Sequence, residues 1–363
     1  MSQPLTRLPR LFRWLLLVVL CGIASQCLVY VNFPGGQFIG PMLASIVLAL
    51  LGISLKVDRV WFNLGQGAIG ILISEAFTLA VIMNIAHHWI AMLAVTVILL
   101  FISFPVGLFN VRFGGMPGTT AAWGTSPGGA SVMVAMAEDN GGDPRVVATM
   151  QYVRVVCVVL TGAIVAHFLH PSSGASSGSA ATGASITHDP IMLIITLALL
   201  AAGSLIGRKL IPAGAMLGPI IIATPLQLLG WIHLDLPLPI LSIAYGLIGA
   251  YVGLRFDKPT IMYVIKAIPM MVVSSMLLIG LCAISAYILQ FFIGSDYLSL
   301  YLATSPGGLD SMTIIALDTH ADVGIVAALQ ILRMFSVVLA GPWMAKQIAR
   351  FAVEKGDSHH HSQ

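Results

Sequence analysis

The pentapeptide Thr-Ser-Pro-Gly-Gly occurs twice in this chain, at residues 125–129 and again at residues 304–308. The two copies are separated by 304 − 125 = 179 residues, and the sequences that follow them match at the same offset. Each copy reads as a Pro-Gly-Gly break, a short helical run that ends in Asp, and an apolar helix with Gln and Arg three residues apart. A period this long is not that of a solenoid of short repeats. The sequence therefore predicts a duplicated half-protein.

The match between the two copies extends well beyond the pentapeptide. Downstream of it, five pairs of residues coincide at the same offset: Met133 and Met312, Asp139 and Asp318, Asp143 and Asp322, Gln151 and Gln330, and Arg154 and Arg333. Upstream of it, Gly67 and Gly70 match Gly246 and Gly249. We predict a first membrane repeat at residues 11–169, a Ser/Gly linker at 170–188, a second membrane repeat at 189–350 and a cytoplasmic tail at 351–363.

The composition is that of a membrane protein. Hydrophobic residues make up 58% of the chain and charged residues only 9%, whereas a soluble domain carries about 25% charged residues. The net charge of +3 comes from cations scattered at segment ends. Because they form no basic stripe, we expect no nucleic-acid partner. The four cysteines lie in apolar runs without metal-ligand spacing, so we interpret them as small buried hydrophobes.

The apolar runs predict about ten transmembrane helices. In the first half they lie at residues 14–31, 37–54, 62–83, 89–109 and 146–169, with a turn at His87 and His88, and in the second at 190–206, 214–229, 239–254, 267–292 and 323–344. The first run resembles a signal peptide, but it is long enough to span the bilayer, so we interpret it as an uncleaved helix. The third contains Gly65, Gly67 and Gly70, which allow close approach of helix backbones in lipid.

The distribution of lysine and arginine decides the topology, because these residues favour cytoplasmic loops. If each broken segment dips into the membrane and returns, each half has five spans, and the cationic loops of both halves fall on the cytoplasmic side. If the broken segments cross fully, Arg208, Lys209 and every later cation move outside. We therefore predict an all-α membrane protein with two inverted-topology repeats, two re-entrant Pro-Gly-Gly hairpins that enter from opposite faces, and both termini in the cytoplasm.

The hairpins and two arginines are the candidate site. Re-entrant backbone lines a cavity in secondary transporters, and a helix N-terminus attracts anions. An arginine at membrane depth costs at least about 2.5–3.5 kcal/mol, so we expect it to face a cavity or an anion. The predicted substrate-binding residues are Thr125, Ser126, Gly128, Gly129, Gln151, Arg154, Thr304, Ser305, Gly307, Gly308, Gln330 and Arg333. The alternative is structural: each arginine neutralises Asp139, Asp143, Asp318 or Asp322, or caps loop carbonyls.

Two acids break the symmetry of the copies and are candidates for coupling a proton or Na⁺ to transport. Asp310 stands where the first copy has Ser131, and Glu75 lies in the middle of the predicted third span. The alternative role of each is to pair with a nearby arginine or to supply a negative charge at a helix N-terminus. The histidines show no ligand spacing, so we predict neither a metal nor another cofactor.

The residues around both pentapeptides resemble the duplicated AbrB membrane-protein family of Gram-negative bacteria. The resemblance is carried by residues 123–129, 150–155, 301–310 and 329–333 and extends over about 34–350. It implies a multi-pass protein of the bacterial inner membrane. Members of that family are labelled either as regulators of gene expression or as ammonia monooxygenases. A short DNA-binding regulator shares the name, but this chain is unlike it.

These residues favour a secondary-transporter-like carrier of a small polar or anionic solute, with an indirect effect on gene expression. Two alternatives remain: a membrane-embedded sensor without transport and, less favoured, a membrane oxidase. An oxidase needs a copper site and a direct regulator needs a basic soluble module, and the sequence indicates neither. We therefore lean against an enzyme and predict no catalytic residues. The expected partners are the lipid bilayer and the solute, and a homo-oligomer is compatible with the sequence.

Overall fold

The computed structural model describes residues 9–53, 55–126, 130–139, 141–169, 190–211, 213–234, 236–256 and 258–358, and the regular structure in these ranges is helical. The first half contains α1 (Arg10–Tyr30), α2 (Gly36–Leu50), α3 (Arg59–Ala76), α4 (Leu79–Gly114), α5 (Gly118–Thr125), α6 (Ala130–Asp139) and α7 (Pro144–Leu169). The second half contains α8 (Pro190–Leu210), α9 (Gly214–Leu228), α10 (Leu238–Gly253), α11 (Lys258–Val264), α12 (Ile268–Ile293), α13 (Tyr297–Thr304), α14 (Leu309–Asp318) and α15 (Val323–Ser358).

The helix boundaries of the second half follow those of the first. Helices α13 and α14 begin and end 179 residues after α5 and α6, as the pairs Gly118 and Tyr297 or Asp139 and Asp318 show. The same comparison gives 178 residues for α2 and α9 and 180 for α1 and α8. The duplicated sequence pattern therefore corresponds to a repeated order of helices.

The predicted turn at His87 and His88 is wrong, because both residues lie inside α4, which is 36 residues long. The corresponding stretch of the second half does break, between α11 and α12. Pro269 lies in the first turn of α12, where proline is tolerated, whereas in a helix interior it removes a hydrogen bond and clashes. The first copy has Ile90 at the matching position, so α4 continues without a break.

Five helices are long and apolar enough to cross a membrane: α1, α4, α7, α8 and α12. Shorter apolar helices are α2, α9, α10 and the first part of α15, up to Val337. At 1.5 Å per residue, α4 extends to about 54 Å, which exceeds the hydrocarbon core of about 30 Å. The described part of the chain is therefore an all-helical fold of the membrane type.

The chain forms two compact units, and each takes segments from both sequence halves. Unit 1 comprises Met1–His87, Ala163–Lys258 and Thr313–Ala327, and unit 2 comprises His88–Gly162, Pro259–Met312 and Ala328–Gln363. In unit 1, α2 packs on α10 and α3 packs on α9, so a helix of one half contacts a helix of the other. The compact units therefore differ from the two segments that the sequence pattern delimits.

Glycines bring the helices of unit 1 close together. A Cβ atom at Gly67 of α3 would overlap the side chain of Ser204 on α8, and one at Gly70 would overlap the carbonyl oxygen of Met216 on α9. The contact of α8 with α9 is equally close, because a Cβ at Gly207 would overlap the carbonyl oxygen of Gly214. The prediction that small residues of the third helix allow close backbone approach is confirmed.

The interpretation of all four cysteines as buried side chains needs one correction. Cys21 and Cys282 are buried and Cys157 is partly buried, but Cys27 is exposed on the surface of α1. In a membrane helix an exposed apolar thiol is compatible with contact to lipid, so periodicity alone did not distinguish this position from a core position.

Candidate functional site

The two broken segments lie in unit 2, apart from the last residues of α14, which belong to unit 1. Helix α5 ends at Thr125 and α13 ends at Thr304, and the next residues, Ser126 and Ser305, have extended ψ angles of 123° and 137°. Each of these serines precedes a proline, which disfavours helical geometry at the preceding residue. The Ser-Pro step therefore ends each helix in the middle of unit 2. Pro127, Gly128 and Gly129 lie outside the described residues.

A glutamine caps the C-terminal end of each broken helix. The Nε2 atom of Gln151 on α7 donates to the carbonyl oxygens of Trp123 at 3.0 Å, Gly124 at 3.2 Å and Ser126 at 3.1 Å. On α15, Nε2 of Gln330 donates to the carbonyls of Leu302 at 2.8 Å and Ser305 at 3.1 Å. The last carbonyls of a helix have no partner within it, and in a buried site another donor must satisfy them. The glutamines supply that donor.

The arginine three residues after each glutamine binds the same loop. Nη1 of Arg154 donates to the carbonyls of Thr125 at 3.4 Å and Ser126 at 3.0 Å, and Nη2 donates to Oε1 of Gln151 at 2.5 Å. These contacts recur almost atom for atom in the second copy. There, Arg333 donates to the carbonyls of Thr304 at 3.5 Å, Ser305 and Gly307 at 2.8 Å and to Oε1 of Gln330 at 2.5 Å.

Arginine and glutamine therefore cap loop carbonyls, as the structural alternative expected, but the proposed neutralising acids have other partners. Asp143 accepts from the hydroxyl of Tyr263 at 2.9 Å, a bond that raises the pKa of this surface tyrosine. Asp318 accepts from the backbone N–H of Gly35 at 2.8 Å, and Asp322 accepts from that of Ile325 at 3.0 Å. The side chain of Asp139 lies outside the described residues.

The charge of the two guanidinium groups is the unusual property of this site. Arg154 is 5% exposed and Arg333 is 4% exposed, and their positive charges are close enough to repel each other. Across the described ranges no carboxylate pairs with either group. The Nε atom of each is buried and has no hydrogen-bond partner among the described residues. Two buried cations with one unused donor each are thus held side by side in unit 2.

The hydroxyl groups of the loop residues bond to their own helices. Thr125 donates to the carbonyl of Ala121 at 2.8 Å and Ser126 to that of Ala122 at 2.8 Å. Thr304 donates to the carbonyl of Leu300 at 2.9 Å. A hydroxyl hydrogen can rotate to a better acceptor when one is present, so these groups remain available to a ligand. Together with the arginines, they bring most described members of the predicted site into one unit.

The two candidate coupling acids do not share a unit. Asp310 is in unit 2, in the first turn of α14, where Oδ1 accepts from the N–H of Ser311 at 3.0 Å. A negative charge is favourable at that end of a helix. Glu75 is in unit 1 and is not in the middle of a span, because α3 ends at Ala76. Phe77 and Thr78 separate α3 from α4, and this break was not apparent from the continuous apolar run.

A narrow cleft lies beside Arg154 and includes two residues that the sequence analysis missed. It is lined by Gly124, Thr125 and Arg154, by Ser274 and Ser275 of α12, and by apolar side chains of α4, α7 and α12. The space inside is about 10 Å³, roughly what one water molecule requires. Adjacent serines within an apolar helix were the available signal, but single hydroxyls are common in membrane helices and bond to their own backbone.

Comparison with known proteins gives a family at this point. A family model described as "Transition state regulatory protein AbrB" matches residues 37–349. The chain belongs to the AbrB family. An Escherichia coli (strain K12) protein named "Putative regulator AbrB" is 36% identical over 347 residues, which cover 94% of this chain and 98% of that protein. The resemblance predicted from the pentapeptides is confirmed.

A second AbrB-like relative comes from Bacillus subtilis (strain 168), where it carries the name "Uncharacterized protein YhjN". It is 27% identical over 318 residues, which cover 83% of this chain and 82% of the relative. The only functional term in these names is that of a regulator, and it applies to the relative from Escherichia coli. In the described part of this AbrB-family chain, no three His, Cys, Asp or Glu residues gather as metal ligands.

Proposed function

We propose that this AbrB-family protein is a secondary-transporter-like carrier of a small polar or anionic solute in the bacterial inner membrane. In this proposal the two halves are inverted-topology repeats with about ten spans in total, and both termini are cytoplasmic. The repeated helix boundaries support the duplication. Broken helices that meet in the membrane are the usual binding-site architecture of secondary transporters.

The observation that carries the proposal is the pair of buried guanidinium groups. Capping explains the Nη groups of Arg154 and Arg333, because these donate to loop carbonyls. It does not explain why both caps are charged, since a neutral amide satisfies the same carbonyls without burying charge. A buried charge without a counter-charge is strongly unfavourable, and a like charge nearby increases the penalty. An anion that enters from solution would offset both penalties.

The second candidate is a membrane-embedded sensor that binds the solute without moving it. The observation in its favour is the name of the relative from Escherichia coli, which calls that protein a regulator. A carrier also changes gene expression when it alters the concentration of a metabolite, so regulation does not decide between the two. The sensor predicts binding without flux, and the carrier predicts both.

The test is uptake of chloride, formate and acetate into proteoliposomes that contain the purified protein. We expect Arg154→Ala and Arg333→Ala to reduce flux at least about tenfold, because each removes a charge contact to the anion, typically about 1.5–3 kcal/mol. Arg145→Ala is the matched control, because Arg145 is exposed at the first turn of the same helix as Arg154. Unchanged flux in folded Arg154→Ala and Arg333→Ala would remove the arginines from the site, and binding without flux would favour the sensor.

A further inference from the structure

The cleft beside Arg154 has the chemistry of an anion site. Its polar lining consists of one guanidinium, the hydroxyls of Thr125, Ser274 and Ser275, and the backbone of Gly124 and Thr125. None of its lining residues is acidic. The guanidinium has a buried Nε–H without a partner among the described residues. A positively charged donor set without a carboxylate favours a negatively charged occupant.

The two serines of α12 can turn toward such an occupant. Ser274 donates to the carbonyl of Met271 at 3.0 Å, and Ser275 donates to the same carbonyl at 2.7 Å. That carbonyl also accepts a backbone hydrogen bond within α12 in a regular helix, so it does not depend on the serine hydroxyls. When an anion enters, a hydroxyl can rotate and donate to it instead. Both serines are buried, at 4% and 5% exposure.

The size of the cleft limits the occupant. Its internal space of about 10 Å³ accommodates about one water-sized group. A halide ion or the carboxylate of formate is of this size, whereas each additional methyl group requires displacement of packed side chains. The apolar part of the wall, from Val106, Met150 and Leu278, offers no hydrogen bond to a larger polar solute.

We propose that a small monoanion, of the size of chloride or formate, binds in this cleft between Arg154, Thr125 and the Ser274–Ser275 pair. This rests on the proposed function, of which it specifies the solute class and one binding position. Ser274 is then a specificity-determining residue. The matching position of the first copy is Val95, whereas Ser275 matches the hydroxyl-bearing Thr96. The hydroxyl of Ser274 thus distinguishes the two copies of the site.

The experiment measures thermal stabilisation of the purified full-length protein by sodium chloride or sodium formate, with gluconate as the balancing anion. A bound ligand stabilises the folded state in proportion to the logarithm of its concentration over Kd. We expect Ser274→Val to raise the chloride concentration for half-maximal stabilisation about tenfold, because one hydrogen bond to a charged ligand is lost. Ser274→Thr, which keeps the hydroxyl, should remain within about twofold of the wild type.

Ser285→Val is the matched control, because Ser285 is also buried on α12 and its hydroxyl donates to the carbonyl of Cys282 at 2.7 Å, outside the cleft. The proposal is overturned if Ser274→Val and Ser285→Val change the chloride response equally, or if gluconate stabilises the protein as well as chloride does. Ser274→Ala replaces the valine variant if that protein does not fold. Wild-type flux that is insensitive to Ser274→Val would overturn this site alone. Loss of chloride binding in a protein without flux would keep the site and overturn the carrier.

Discussion

At the scale of single residues, the glutamine and arginine of each copy have separable roles. The glutamine amide is neutral and donates to two or three carbonyls, whereas the arginine adds a charge to the same loop. The glutamine is therefore a structural residue in this view. The three-residue spacing of Gln and Arg predicted that both lie on one helix face, and the contacts of Gln151 with Arg154 bear this out. The spacing did not indicate which backbone groups they bind.

We expect Gln151→Ala to destabilise the protein by about 1–3 kcal/mol, because it leaves buried carbonyls of Trp123, Gly124 and Ser126 without this donor. The measurement is unfolding in mixed micelles of increasing denaturing-detergent content. Gln227→Ala is the control, because its Nε2 atom makes one contact, of 3.3 Å, to the carbonyl of Glu75. An equal effect of both variants would contradict the capping role of Gln151.

At the scale of helices, the sequence predicted order and type well and breaks less well. Residues 298–318 were expected to be broken, and the structure divides them into α13 and α14. The Ser-Pro step is a local signal with a steric cause, so it can be read directly from the sequence. The continuity of α4 through His87 was not predicted, since polar residues at a segment end also suggest a turn. The decisive difference is the absence of proline at Ile90, the counterpart of Pro269.

Close helix packing provides a prediction at this scale. Gly207→Ala should destabilise the protein by about 1–3 kcal/mol, because the added methyl group overlaps the backbone of Gly214 on α9 and the helices must separate. The same unfolding assay measures it. Gly22→Ala on α1 is the matched control, since a Cβ there has no neighbour within 4 Å. It should be neutral or slightly stabilising, because alanine favours helix over glycine. Equal destabilisation by both variants would rule out overlap as the cause.

At the scale of the molecule, the duplication was visible in the sequence, whereas the composition of the compact units was not. Offsets between similar residues reveal which segments correspond, but they carry no information about which helices pack together. Contacts such as that between Gly249 of α10 and the carbonyl of Phe38 on α2 join segments from different halves. Unit 2 likewise contains Arg154 and Arg333, one from each half. A site built from both copies therefore follows from packing that only the structure shows.

The inverted relation of the halves makes a prediction about sides of the membrane. In a variant with its four cysteines replaced, Ser177→Cys in the linker should react in intact cells with a thiol reagent that does not cross the inner membrane. Lys209→Cys, at the exposed end of α8, should react only after the cells are opened. Five spans in each half require this result, whereas six spans place the linker inside and Lys209 outside. Lys56→Cys is the control, because both arrangements keep it cytoplasmic. Labelling of Lys209→Cys in intact cells would therefore remove the re-entrant hairpins from the proposal.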